Sequence, residues 1–184
     1  MQLSNTNENY GLISKLLHWL MVLLIFGLFF LGEYMVDLDY YHPWYQKAPD
    51  LHRSIGIITT LLLVFRLIWR MIDIQPEIVG KPWEQRIARW VHRSFYFLII
   101  STAIMGYLIT TADGQGVYVF NQFEIPAVFY GAENQADIAG KAHDVLAHAL
   151  FFLALLHTLA ALKHHFIDHD STLMRMIGRI NFKN

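Results

Sequence analysis

Apolar residues gather into four long blocks with charged residues pushed to their edges, and that pattern predicts four membrane-crossing helices. The blocks run from Ile13 to about Val36, Leu51 to about Met71, Ile87 to about Ile109, and Ala142 to about Phe166. Each is near or above the roughly 20 residues a helix needs to cross a hydrocarbon core about 30 Å thick. Arg66 and Arg70 interrupt the second block only at its end, where a long side chain can snorkel to the headgroups. The first block is long and lacks a small-residue cleavage site, so it reads as a span rather than a cleavable signal peptide.

The connections carry their own signals. Tyr40, Tyr41, Trp44 and Tyr45 crowd the first loop, Asp37 to Asp50, as an aromatic belt at a membrane surface would. The longest connection, Thr111 to Gly140, contains VYVFNQF, which predicts a short strand or a re-entrant patch covering one end of the bundle. The short basic loop around Pro76, Lys81 and Pro82 is expected to rest on anionic headgroups. Asp170 and Ser171 precede an apolar-periodic run, predicting a short amphipathic helix with Met174, Met176 and Ile177 towards lipid. The expected fold is therefore all-α: one integral-membrane four-helix domain over residues 1–184, with a short C-terminal amphipathic helix.

Composition agrees. Charged residues make up 16% of the chain against about 25% in soluble domains. Eleven of the fourteen Lys and Arg residues fall on the side that holds both termini and the second-to-third loop. Lys47, Arg53 and Lys141 are the three on the other side, so the positive-inside rule puts the termini in the cytoplasm. The outer side has nine carboxylates against those three bases, a balance of 3 − 9 = −6, which favours cationic or neutral partners. No nucleic-acid partner is expected. The absence of cysteine excludes disulfides, iron–sulfur clusters and thiolate haem ligation.

The chemistry lies in the histidines. His143 and His157 stand fourteen residues apart in one apolar block, almost four turns, so both imidazoles leave one face about 21 Å apart along the axis. His18 and His52 lie near the starts of the first two blocks. Imidazoles at membrane depth are rare and usually functional. Topology matches His52 with His143 near the outer face and His18 with His157 nearer the inner one. Two helices at one depth can clamp an iron from opposite sides, so four histidines at two depths point to two stacked porphyrins. His92, near the inner end of the third block, competes with His18 as partner of His157; otherwise it is expected, like His164 and His165, to contact a propionate or a quinone. His148 faces about 140° away from His143 and is expected to hydrogen-bond to a neighbouring helix. His42 and His169 read as solvated. His164 and His165 read as an interfacial pair or as contacts to a quinone headgroup. Gly27, Gly32, Gly56 and Gly106 allow close approach of a backbone or a flat macrocycle. Arg53, Arg66 and Arg70 are candidates to pair with haem propionates. For Arg66 and Arg70, anchoring at the inner surface is the competing reading.

LLHWL in the first block, LHRSIGI in the second, AHDVLAH…LLHTLAALKHH in the fourth and the tail DSTLMRM resemble the bacterial cytochrome b561 family over nearly the whole chain. The resemblance implies two haem b groups (protohaem IX) ligated at His18, His52, His143 and His157, in a bacterial inner membrane. It also implies electron transfer between the quinone pool, with ubiquinone the expected substrate, and a periplasmic redox partner or small oxidant or reductant. One member type oxidises superoxide and passes the electron to ubiquinone. Here the outer balance of −6 would repel that anion unless Arg53, Lys47 and Lys141 form a local basic pocket. A haem-bearing anchor subunit of a larger dehydrogenase is a further alternative. A haem-free transporter would pair its histidines with midplane carboxylates, which these blocks lack.

Overall fold

The structure, a computed structural model, describes residues 2–178. Its main elements are α1 (Leu12–Val36), α2 (Lys47–Ile72), α3 (Pro82–Thr110) and α4 (Gln135–Phe166), each long and apolar enough to cross a membrane. A hairpin of β1 (Val117–Val119) and β2 (Phe123–Ile125) lies in the α3–α4 connection, and α5 (Thr172–Ile177) follows α4. The VYVFNQF run therefore forms an antiparallel hairpin, with Val117 opposite Ile125 and Val119 opposite Phe123. Arg179 and Lys183, which entered the charge count above, lie outside the described residues.

Three of the helices begin well before their apolar blocks, because polar residues at the starts are satisfied locally. In α3, Pro82 takes the first helical position, where its missing N–H costs nothing, and the Lys81 N–H donates to Glu84 Oε2 at 2.8 Å. In α4, buried Gln135 donates through its side-chain amide to the Leu108 carbonyl at 2.9 Å. Helix α2 likewise starts at Lys47, with Ala48 buried. The Thr111–Gly140 connection is shortened accordingly.

The outside of the bundle is apolar, as a lipid-facing surface must be: Leu23 is 72% exposed and Phe97 67%. Inside, α1 packs closely on α2 and α3 on α4, while contact between the two pairs is sparse. The pairs meet chiefly through one buried layer of Met21, Leu63, Ile99 and Leu150, one residue from each long helix. On α4, Leu150 falls seven residues from both His143 and His157, so the layer stands midway between the two imidazole levels.

The two ends differ. At the hairpin end, Val117 and Val119 are buried, and the Phe120 N–H donates to buried Ser54 Oγ at 2.9 Å, latching the hairpin onto α2. At the terminal end, Asn5 Nδ2 donates to the Ile74 carbonyl at 2.8 Å and Arg175 to the Glu77 carbonyl at 2.7 Å. Trp19 Nε1 donates to the Met176 carbonyl at 3.2 Å. The N-terminal segment, the α2–α3 connection and α5 thus cap this end. Of the residues expected to face lipid on α5, Ile177 is exposed, whereas Met174 and Met176 are half-buried.

Candidate functional site

The sparse seam between the helix pairs is a slot, and the histidines line it. At the hairpin end, His52 on α2 faces His143 on α4 with ring centroids 6.1 Å apart. Nearer the terminal end, His18 on α1 faces His157 on α4 at 6.4 Å. Each pair takes one imidazole from α1/α2 and one from α3/α4, so each spans the slot. A ring nitrogen bonds a metal at about 2 Å and lies about 1 Å from its own ring centre, so two imidazoles on opposite sides of one iron have centres roughly 6 Å apart. Both pairs fit that separation.

The surroundings fit a flat group ligated from both sides. His143 Nδ1 lies 2.9 Å from the Thr102 carbonyl, which takes the Nδ1–H and leaves the Nε2 lone pair free. A side chain at Gly106 would meet the His143 ring at 3.1 Å, and one at Gly32 would meet His52 Cε1 at 3.4 Å. Both glycines therefore admit the rings themselves. Buried His52 Nδ1 has no partner among the described residues. By contrast, Gly27 and Gly56 have open space where a side chain would go.

His92 is also at the terminal-end level, its ring 5.7 Å from that of His157. Proximity alone would favour it over His18. However, His92 and His157 belong to the same tightly packed α3/α4 pair, whereas His18 approaches from across the slot. The two rings thus reach His157 from different sides, His92 from within its own helix pair and His18 from the facing one. Arg66 lies 3.4 Å from His18 Nδ1, bringing a guanidinium to this level, and Arg70 stands over the Tyr96 ring at 5.9 Å.

The remaining candidates lie outside the two pairs. Arg53 is paired with Asp50 on its own helix. His148 contacts the Asp144 carbonyl within α4 at 3.0 Å, and its Nε2 lies 3.8 Å from Glu33 of α1. His164 Nδ1 contacts Asp170 at 2.7 Å and Asp168 at 3.1 Å, beside the Lys163–Glu84 pair at 3.1 Å. Partial burial pushes the Asp170 carboxyl up, but hydrogen bonds from Thr172 and His164 outweigh it and hold the group below the usual carboxylate range. His165 packs on Phe166, His42 Nδ1 accepts from the Trp44 N–H at 3.2 Å, and His169 is exposed. The two mixed carboxylate–imidazole clusters, Glu33/Asp144/His148 and Glu84/His164/Asp168, include none of the four slot-lining pair members. The Thr102 carbonyl had no sequence signal, because every helical residue carries one.

A four-helix membrane bundle with paired imidazoles at two depths has the build of a membrane cytochrome. Residues 9–179 match the prokaryotic cytochrome b561 family, and the chain belongs to it. It is 46% identical over 181 residues to cytochrome b561 homolog 2 of Escherichia coli (strain K12), covering 97% of this chain and 96% of that one. It is 28% identical over 183 residues to the probable superoxide oxidase CybB of Yersinia pestis, covering 94% and 98% respectively. Cytochrome b561 homolog 1 of Escherichia coli (strain K12) is 28% identical over 166 residues, 89% of this chain and 93% of that one. The protein is thus a multi-pass bacterial inner-membrane member of an electron-transferring oxidoreductase family.

Proposed function

We propose that the chain moves single electrons across the inner membrane through two haem b groups. They would connect the quinone pool at the terminal end with a periplasmic partner, or a small oxidant or reductant, at the hairpin end. In this reading His52 with His143 would hold one haem and His18 with His157 the other. The observation that carries it is the two imidazole pairs spanning the slot with centroids 6.1 and 6.4 Å apart. Haem with both axial positions filled supplies one-electron chemistry and no oxygen binding.

The chain's own groups do the rest. The Thr102 carbonyl holds the His143 tautomer, and the Met21–Leu63–Ile99–Leu150 layer keeps water from the span between the levels. Arg66 at one level and Arg53 at the other are cations available to propionates, although Arg53 would have to release Asp50. His164, tied to Asp168 and Asp170, would be the contact to a quinone headgroup at this end, with His165 and His92 as the alternatives. The distribution of Lys and Arg supports cytoplasmic termini, hence a cytoplasmic quinone end.

Superoxide:ubiquinone oxidoreduction is the more specific second reading, favoured by the relative named a probable superoxide oxidase. Pyridine haemochrome quantification of the purified protein tests the main proposal, with two haems per chain expected. A preparation from haem-replete cells without Soret absorbance would remove it. Stopped-flow mixing with superoxide and, separately, with quinol then distinguishes the two readings.

A further inference from the structure

A cavity of about 210 Å³ opens at the hairpin end, lined by α2, the end of α3 and the hairpin. Its residues fix its depth. Asp50 and Arg53 flank His52 on α2. Thr110 lies one turn beyond Gly106, the glycine against the His143 ring, and its hydroxyl donates to the Gly106 carbonyl at 3.2 Å. The cavity floor is therefore about one turn outward of the His52/His143 pair. Asn121, held with φ 56 in the left-handed region that asparagine tolerates, forms part of the hairpin wall, and the Phe120–Ser54 hydrogen bond fastens that wall to α2.

The lining accepts hydrogen bonds and carries negative charge. The Arg53 guanidinium is taken by Asp50. Asp113 receives only a 3.3 Å contact from the Gln115 N–H, and among the described residues no Lys or Arg pairs with it. Tyr118 stands opposite Glu124 in the hairpin register, and that carboxylate, accepting a hydrogen bond from the phenol, holds Tyr118 above its usual range. Three carboxylates thus stand in or beside the cavity against one already paired cation. Lys47 and Lys141 do not line it.

We infer that this cavity binds a small, non-anionic molecule rich in hydrogen-bond donors, and discriminates against anions. Its occupant would sit at the outer access to the His52/His143 level, a role that rests on the electron-transfer reading above. Carboxylates only accept hydrogen bonds, so they match hydroxyl or ammonium donors and leave an anion's lone pairs unpaired. Of the three bases on this side, only Arg53 lines the cavity, and it is paired with Asp50.

The test uses three catechols that differ in charge: dopamine (cationic), catechol (neutral) and tiron (an anionic disulfonate). Binding is measured by isothermal titration calorimetry to the haem-loaded protein in zwitterionic-lipid nanodiscs, anaerobically and with the haems reduced, so that no electron transfer contributes. The expected order of affinity is dopamine, then catechol, with tiron weakest. Asp113→Asn should narrow the dopamine-to-tiron ratio by about fivefold. Raising salt should weaken dopamine binding to the unaltered protein, which needs no variant to fold. Equal affinities for tiron and dopamine, or an unchanged ratio in Asp113→Asn, would overturn the inference. So would absence of binding by all three to protein with full haem content, which leaves the electron-transfer reading intact. Dopamine binding to protein that carries no haem supports the cavity and removes the electron-transfer reading instead.

Discussion

Gly106 on α3 and His143 on α4 approach so closely that a side chain at residue 106 would stand 3.1 Å from the imidazole Cε1 and 3.2 Å from Nδ1. The same ring reaches the Thr102 carbonyl one helical turn away at 2.9 Å. A missing side chain and a backbone acceptor together fix the orientation of the His143 ring.

Gly106→Val should therefore displace the His143 ring and lower haem content from two per chain towards one. Gly27→Ala and Gly56→Ala, which meet open space, should keep both haems and gain a little helix stability, up to about 1 kcal/mol. Pyridine haemochrome titration of the three variants checks this. Full haem content in Gly106→Val would show that the close contact does not matter for ligation.

The terminal-end level offers a sharper choice, because His18 and His92 both touch His157. His18→Ala and His157→Ala should each lose one haem and retain the hairpin-end one, while His92→Ala should keep both. Retention of two haems in His18→Ala with loss of one in His92→Ala would reverse the assignment.

The four spans and the pairing by depth were legible because lipid imposes length and apolarity on any crossing helix, and fourteen residues bring His143 and His157 to one face. Helix starts were not legible. Gln135 and Lys47 are polar: Gln135 is accepted through its bond to the Leu108 carbonyl, and Lys47 stays exposed to solvent. VYVFNQF left strand and re-entrant patch open, since a short apolar-aromatic run has no period long enough to decide. Sequence assigned His18 and His92 to one depth but not to a helix pair; in the structure His92 shares the α3/α4 pair with His157 and His18 faces it from α1. Arg53, a free cation on the page of the sequence, proves to be neutralised by Asp50 three residues earlier.

The hairpin's attachment rests on few groups. Ser54→Ala would remove the acceptor of the part-buried Phe120 N–H, a cost of about 0.5–1.5 kcal/mol. Faster hydrogen exchange across residues 117–125 is expected, with both haems retained because His52 and His143 are untouched. Unchanged exchange would mean that Val117 and Val119 alone hold the hairpin.

At the opposite end, Asp170 links α4 to α5: its Oδ2 meets His164 at 2.7 Å and its Oδ1 accepts from the Thr172 N–H at 2.8 Å. Its carboxyl is held below the ordinary value near 3.9, so the folded state binds this proton less readily than the unfolded chain. The stabilisation is therefore fully present above about pH 4 and fades as pH falls through the depressed folded value. Acidification below about pH 4 should release α5, read as loss of protection at residues 171–177 in hydrogen exchange corrected for intrinsic rates. Asp170→Asn should show weakened protection already at neutral pH and little further change specific to this segment on acidification. Should the variant and the unaltered chain lose protection in parallel over that range, the Asp170 carboxylate is not what fastens α5.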